Sequence, residues 1–139
     1  MEFQEYFVIL IVALVNMAVG ALWYSTYLFG DVWMRLSGIN AADVSQIKEI
    51  KKSAKISYLT SFVNAYAMGA VLLFLLTRMG VTTVVDAVSW TIVIWIGFVA
   101  TTSLTNTMFT KRSKAVWLID AGYHGVALLI MGVLLTLFL

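Results

Sequence analysis

At 139 residues, 62% of them hydrophobic, 12% charged and with a net charge of +2, the chain is one domain's worth of sequence. It carries more apolar side chain than a water-facing fold of that size can hide, which excludes an ordinary soluble domain and makes lipid the solvent. The absence of Cys excludes disulfides, thiolate metal sites and thiol nucleophiles, and the absence of Pro excludes proline kinks.

The first apolar stretch runs from about residue 6 to 28. Glu2 and Glu5 stand before it where a cleavable signal carries positive charge, so it reads as a retained anchor. A long connection follows, and about residues 40–56 of it form an amphipathic segment. Asn40 is placed to cap a helix with Asp43 at its third position, and Val44, Ile47, Ile50 and Ala54 recur at helical spacing. Lys48, Lys51, Lys52 and Lys55 fill the rest of that helix. The segment either lies on the inner leaflet with the lysines on anionic lipid, or extends the next helix into the cytoplasm with a solvated face.

The remaining apolar stretches span about residues 58–76, 84–109 and 115–139. Each reaches or approaches the roughly 20 residues that a helix needs to cross a bilayer, and none alternates as barrel strands do. The expected fold is therefore one all-α membrane domain: a four-transmembrane-helix bundle with an amphipathic cytoplasmic or interfacial segment between the first two helices. Eight of the nine basic residues fall in the first and third connections, leaving Arg78 alone in the second. The positive-inside rule then puts both termini on the non-cytoplasmic side. Such clustered charge suits a membrane surface and not nucleic acid.

The strongest chemical signal is Asp120 with His124, the only histidine, four residues apart on one face of the fourth helix. An acidic side chain inside a membrane helix costs about 2.5–3.5 kcal/mol on insertion scales, so something should offset it. A hairpin turning near Ser113 sets Asn106 level with Asp120 and Thr102 level with His124. Asn64 lies near the same depth and Tyr24 toward the cytoplasmic end of the first helix. These residues predict a polar seam that binds or passes a proton, a cation or a small polar solute. The competing reading is interhelical hydrogen-bond glue, with Asp120 paired to Lys111, Arg112 or Lys114.

One His and one carboxylate fall short of the three or four donors of a zinc site, and no nucleophile is assigned beside the His. No metal site, cofactor or catalytic residue is therefore expected. Ala65, Gly69, Ala121, Gly125 and Gly132 lie on shared faces that suit close helix packing. Trp23, Tyr24, Tyr27, Trp33 and Trp117 read as an aromatic belt at the inner boundary.

Three ordered blocks, GALWYSTYLFGDVW (Gly20 to Trp33), GFVATTSLTNTMF (Gly97 to Phe109) and IDAGYHGVALLIMG (Ile119 to Gly132), resemble the bacterial integral membrane family known as domain of unknown function 1761. The resemblance implies a small polytopic protein of a bacterial inner membrane. Its hallmarks here are Trp23, Tyr24, Thr101, Thr102, Asn106, Asp120, Gly122, Tyr123 and His124, and it implies no activity. The expected partners are the bilayer and its anionic lipids, with either a homo-oligomer around the seam or, alternatively, a larger membrane complex in which this chain is a non-catalytic accessory subunit.

Overall fold

The computed structural model describes residues 3–138; Met1, Glu2 and Leu139 lie outside the described residues. The chain forms α1 (Phe3–Trp23), α2 (Gly30–Leu36), α3 (Val44–Arg78), α4 (Val84–Ile94), a π-helical segment (Trp95–Ala100), α5 (Thr101–Phe109) and α6 (Lys114–Phe138). The segment from α4 through the π turns to α5 is one unbroken rod, so four helices are long and apolar enough to cross a membrane. Their outward faces carry Phe7, Leu14, Val63, Val71, Phe74, Val93 and Leu118, all exposed. Such a belt is stable only against an apolar solvent.

α1 and α6 run antiparallel, and the Gln4 side-chain amide donates to the Phe138 carbonyl (3.2 Å). The two described ends therefore share one end of the bundle with the turn at 79–83. The other end, called here the basic end, carries the connections at 24–43 and 110–113. α6 is the hub and packs on every other helix. The terminal half is closed by an apolar core of Val8, Ile9 and Val12 from α1, Leu72, Leu73 and Leu76 from α3, and Leu128, Met131 and Leu135 from α6.

Small residues let these helices meet. Gly69 faces Ile9 and Met131, Gly125 faces the Trp95 ring, and Gly132 faces Thr91. Ala65 and Ala121 are buried with them. The faces expected to pack closely do so within the chain.

After α1 the backbone folds back on itself, with the Phe29 and Gly30 amides bonded to the Trp23 (3.0 Å) and Ser25 (2.9 Å) carbonyls. A Cβ at Gly30 would collide with the Tyr24 and Ser25 carbonyls, so only glycine fits here. This turn aims α2 across the end of α6.

The expected amphipathic segment and second transmembrane helix are one 35-residue helix, α3. At 1.5 Å per residue it is about 52 Å long, well beyond about 30 Å of hydrocarbon, so its first turns project as an extension. Its N-cap is Asp43, not Asn40. The Asp43 carboxylate accepts from the Ser45 and Gln46 amides, while Asn40 closes its own turn by accepting from the Ala42 amide. Asp43 takes the cap because its carboxylate sits within reach of two orphan amides.

Two outcomes follow from this geometry. Gly125→Ala sets a Cβ 2.9 Å from the Trp95 ring and should cost about 1–3 kcal/mol, read as a lower melting midpoint in detergent. Gly97→Ala meets open space and should be neutral or stabilising by up to about 1 kcal/mol. Separately, the Ser45 and Gln46 hydrogen bonds hold the Asp43 carboxyl below its ordinary 3.8. The cap is therefore intact above that pH and lost as pH falls through the lower folded value. The protection of the Ser45 and Gln46 amides, taken relative to intrinsic exchange at each pH, should fall there and stay constant at higher pH.

Candidate functional site

Asp120 sits one and a half turns into α6, close to the basic end, and three separate segments converge on it. Its Oδ1 accepts from the Tyr24 hydroxyl (2.7 Å) and from Trp33 Nε1 (2.9 Å). Its Oδ2 lies 3.8 Å from the Arg112 guanidinium, whose side chain is 44% exposed against 26% for the carboxylate. Two directional bonds to a carboxylate, at about 1.5–3 kcal/mol each, offset its insertion cost, while the long, half-solvated ion pair adds little.

The segment around Asp120 is tied down at each neighbouring position. Trp23 Nε1 donates to the Ile119 carbonyl (3.0 Å) and Trp95 Nε1 to the Ala121 carbonyl (2.8 Å). Trp117 Nε1 is shared between the Ala100 carbonyl (3.2 Å) and Ser103 Oγ (3.1 Å). The Tyr123 hydroxyl donates to Asn16 Oδ1 (2.8 Å), and Asn16 is buried. Three of the expected belt aromatics, Trp23, Trp33 and Trp117, thus turn their N–H groups into the protein, because an indole donor away from water needs an acceptor. Tyr27, 89% exposed, keeps the character of a belt residue.

The expected seam does not assemble. Tyr24 meets Asp120, but Thr102 and Asn106 lie on the exposed face of α5, and Ser103 and Thr107 take the inward positions. The cause is the π segment. Continuing the inward stripe of Ala87, Thr91 and Trp95 at 3.6 residues per turn leads to Thr102 and Thr105–Asn106. The wider π turns insert extra residues and carry the stripe instead to Ala100, Ser103 and Thr107. Asn64 is also exposed, because α3 turns Ala65 and Gly69 inward. His124 makes no hydrogen bond to Asp120 or to any other described residue. It lines an apolar cleft with Met68, Leu72, Ile94, Val99 and Leu128.

Beside the Asp120 cluster lies a groove of about 600 Å³ between α1, α3 and α6. Asn16, Tyr24, Tyr58, Ser61 and Tyr123 supply its polar lining, and Met17, Ala18 and Ala21 its apolar floor. The Tyr58 and Ser61 hydroxyls and the Asn16 amide nitrogen have no hydrogen-bond partner among the described residues. Lys55 and Lys51 stand one and two turns along α3 from Tyr58 and are exposed, as are Lys48 and Lys52. Sequence reading misses Trp33, Tyr58 and Ser61. Only Trp33 carried a signal, as an aromatic donor at the depth of an intramembrane acid.

The chain belongs to the family described as protein of unknown function (DUF1761), whose model matches residues 7–136. No curated protein and no solved structure matches it. Of the hallmark residues, Trp23, Tyr24, Asp120, Gly122 and Tyr123 come together in one cluster, and Gly122 packs on the Trp23 ring.

Asp120→Ala strands the Tyr24 and Trp33 donors and should cost about 2–3 kcal/mol of stability. A double-mutant cycle with Tyr24→Phe should return a coupling of about 1–3 kcal/mol, and additive losses would contradict the arrangement. Arg112→Gln, by contrast, should cost under about 1 kcal/mol.

Proposed function

We propose that this DUF1761 member is a binding protein that holds the phosphate-bearing headgroup of an anionic lipid in the groove between α1, α3 and α6. The observation that carries this reading is the set of unused polar groups there. Tyr58, Ser61 and the Asn16 amide all offer donors, and Lys55 and Lys51 lie one and two turns along α3 from Tyr58 toward the basic end, so the groove suits a ligand rich in acceptors and negative in charge. The apolar floor beside them suits the first carbons of an acyl chain. Eight of the nine basic residues gather at this end, which by the positive-inside rule is the cytoplasmic one and leaves both termini outside.

Binding is favoured over conduction. Beyond the Tyr123 and Asn16 pair the core is Val, Ile, Leu and Met, and the one hydroxyl buried there among the described residues, Thr91, bonds its own helix at the Ala87 carbonyl (2.6 Å). Among the described residues no chain of side-chain hydrogen bonds joins Asp120 to the terminal end. Asp120 Oδ1 accepts both the Tyr24 and the Trp33 donors, so its part is to fix Tyr24 as one wall of the groove.

The test is retention of phosphatidylglycerol against phosphatidylcholine in nanodiscs, read by mass spectrometry of the released protein. The parent protein should keep the anionic lipid. Lys51→Gln with Lys55→Gln should weaken retention by tenfold or more, at about 1 kcal/mol per basic residue. Tyr58→Phe with Ser61→Ala should weaken it several-fold at unchanged melting midpoint. Equal retention of both lipids, or variants that bind like the parent, would refute the proposal.

A further inference from the structure

The rod formed by α4, the π segment and α5 is the least covered of the four spans. Only 11% of its most apolar window is buried, against 28%, 28% and 33% for the spans of α1, α3 and α6. Among the long helices it packs chiefly on α6 and leaves a full face outward. That face is unlike the rest of the apolar belt. Gly97, Thr101, Thr102, Thr105 and Asn106 run along it at helical spacing, and the last four, with Phe109, line a shallow depression.

The hydroxyls of Thr101 and Thr105 are satisfied by their own helix, through the Gly97 (2.9 Å) and Thr101 (3.1 Å) carbonyls. Those of Thr102 and the carboxamide of Asn106 have no hydrogen-bond partner among the described residues. A carboxamide and a hydroxyl turned outward on a membrane helix lose the bonds that water would give them. A Cβ on Gly97 meets nothing within 4 Å, so the helix backbone is bare there to whatever packs on it.

We infer that this face, from Gly97 to Asn106, is where a second copy of the chain packs, with Thr102 and Asn106 exchanging hydrogen bonds across a two-fold axis. The occupant follows from the chemistry of the stripe. It holds no charge to be matched by an opposite one, and each of its free groups is both donor and acceptor, so the surface complements itself. Two copies inserted the same way set each Asn106 at the same depth and each Thr102 one turn deeper, which is the condition for an isologous contact. Gly97 and the threonines allow the two backbones to approach. The π segment is what makes the surface, since a regular helix would turn this stripe inward.

Because the chain has no cysteine, one introduced thiol reports alone. Thr102→Cys and, independently, Asn106→Cys should form intermolecular disulfides in proteoliposomes under mild oxidation. Val71→Cys, 57% exposed on α3, should not. Energy transfer between labelled copies, followed against protein-to-lipid ratio, should give a dissociation constant that rises about tenfold or more in Thr102→Leu with Asn106→Leu. The melting midpoint in monomer-forming detergent should not fall, because neither side chain touches the interior. Monomers at every ratio, disulfides at Val71→Cys as readily as at Thr102→Cys, an unchanged dissociation constant, or capture of a different membrane protein in place of a second copy would each overturn the inference.

Discussion

A carboxylate inside an apolar helix has to be met by donors, and much of the basic end follows from how Asp120 is met. Tyr24 reaches it from the turn after α1, Trp33 from α2, and Arg112 from the turn before α6. None of these segments has an apolar face large enough to fix it by burial. α2 is seven residues long and buries little beyond Gly30. The hydrogen bonds from Tyr24 and Trp33 to one carboxylate do what packing does elsewhere, and the groove beside Tyr24 inherits its shape from them.

The second determinant is the π segment. A chain without proline has few ways to bend a helix or change its phase, and a run of widened turns is one of them. Here it brings Trp95 against Gly125 and onto the Ala121 carbonyl, and leaves the Ala100 carbonyl where Trp117 and Ser103 both reach it. The same change of phase that lets α4 and α5 both pack on α6 exposes Thr102 and Asn106.

The parts of the fold that depend on burial were legible in the sequence. Four long apolar helices and the close packing at Gly69, Gly125 and Gly132 follow from hydropathy and small-residue spacing, while the first helix ends at Trp23, short of the expected residue 28. Asp120 was legible as the central group because an acid in an apolar run has to be explained. Of its partners, Tyr24 is anticipated from its depth and Arg112 as one of three cations in the adjacent turn, whereas Trp33, 87 residues away, reads as a belt aromatic with nothing local to link it to Asp120. The pairing of Thr102 and Asn106 with α6 failed for a definite reason. Matching depth from the hairpin turn fixes height and not azimuth, and a π turn alters azimuth without leaving a mark in composition. Asn64 failed in the same way, because whether it or Ala65 faces inward depends on tertiary contacts. The cap was misassigned by one turn because Asn40 and Asp43 are both good capping residues, and only the second has the Ser45 and Gln46 amides before it.

The two halves of the molecule are held by different forces. Toward the terminal end, α1, α3 and α6 meet through the apolar side chains of Ile9, Val12, Leu72, Met131 and Leu135, and the hydroxyls of Thr91 and Thr136 bond within their own helices. Toward the basic end, indole, phenol, amide and carboxylate groups cross between helices. Dispersion and close packing tolerate substitution of similar volume, whereas crossing hydrogen bonds specify identity. The residues whose chemistry matters should therefore concentrate in the basic half, where the groove and the exposed α5 stripe both lie. For the proposed headgroup site, an apolar terminal half means that a ligand entering the groove from the basic end leaves by the same end, and the rest of the bundle serves as the anchor of that site.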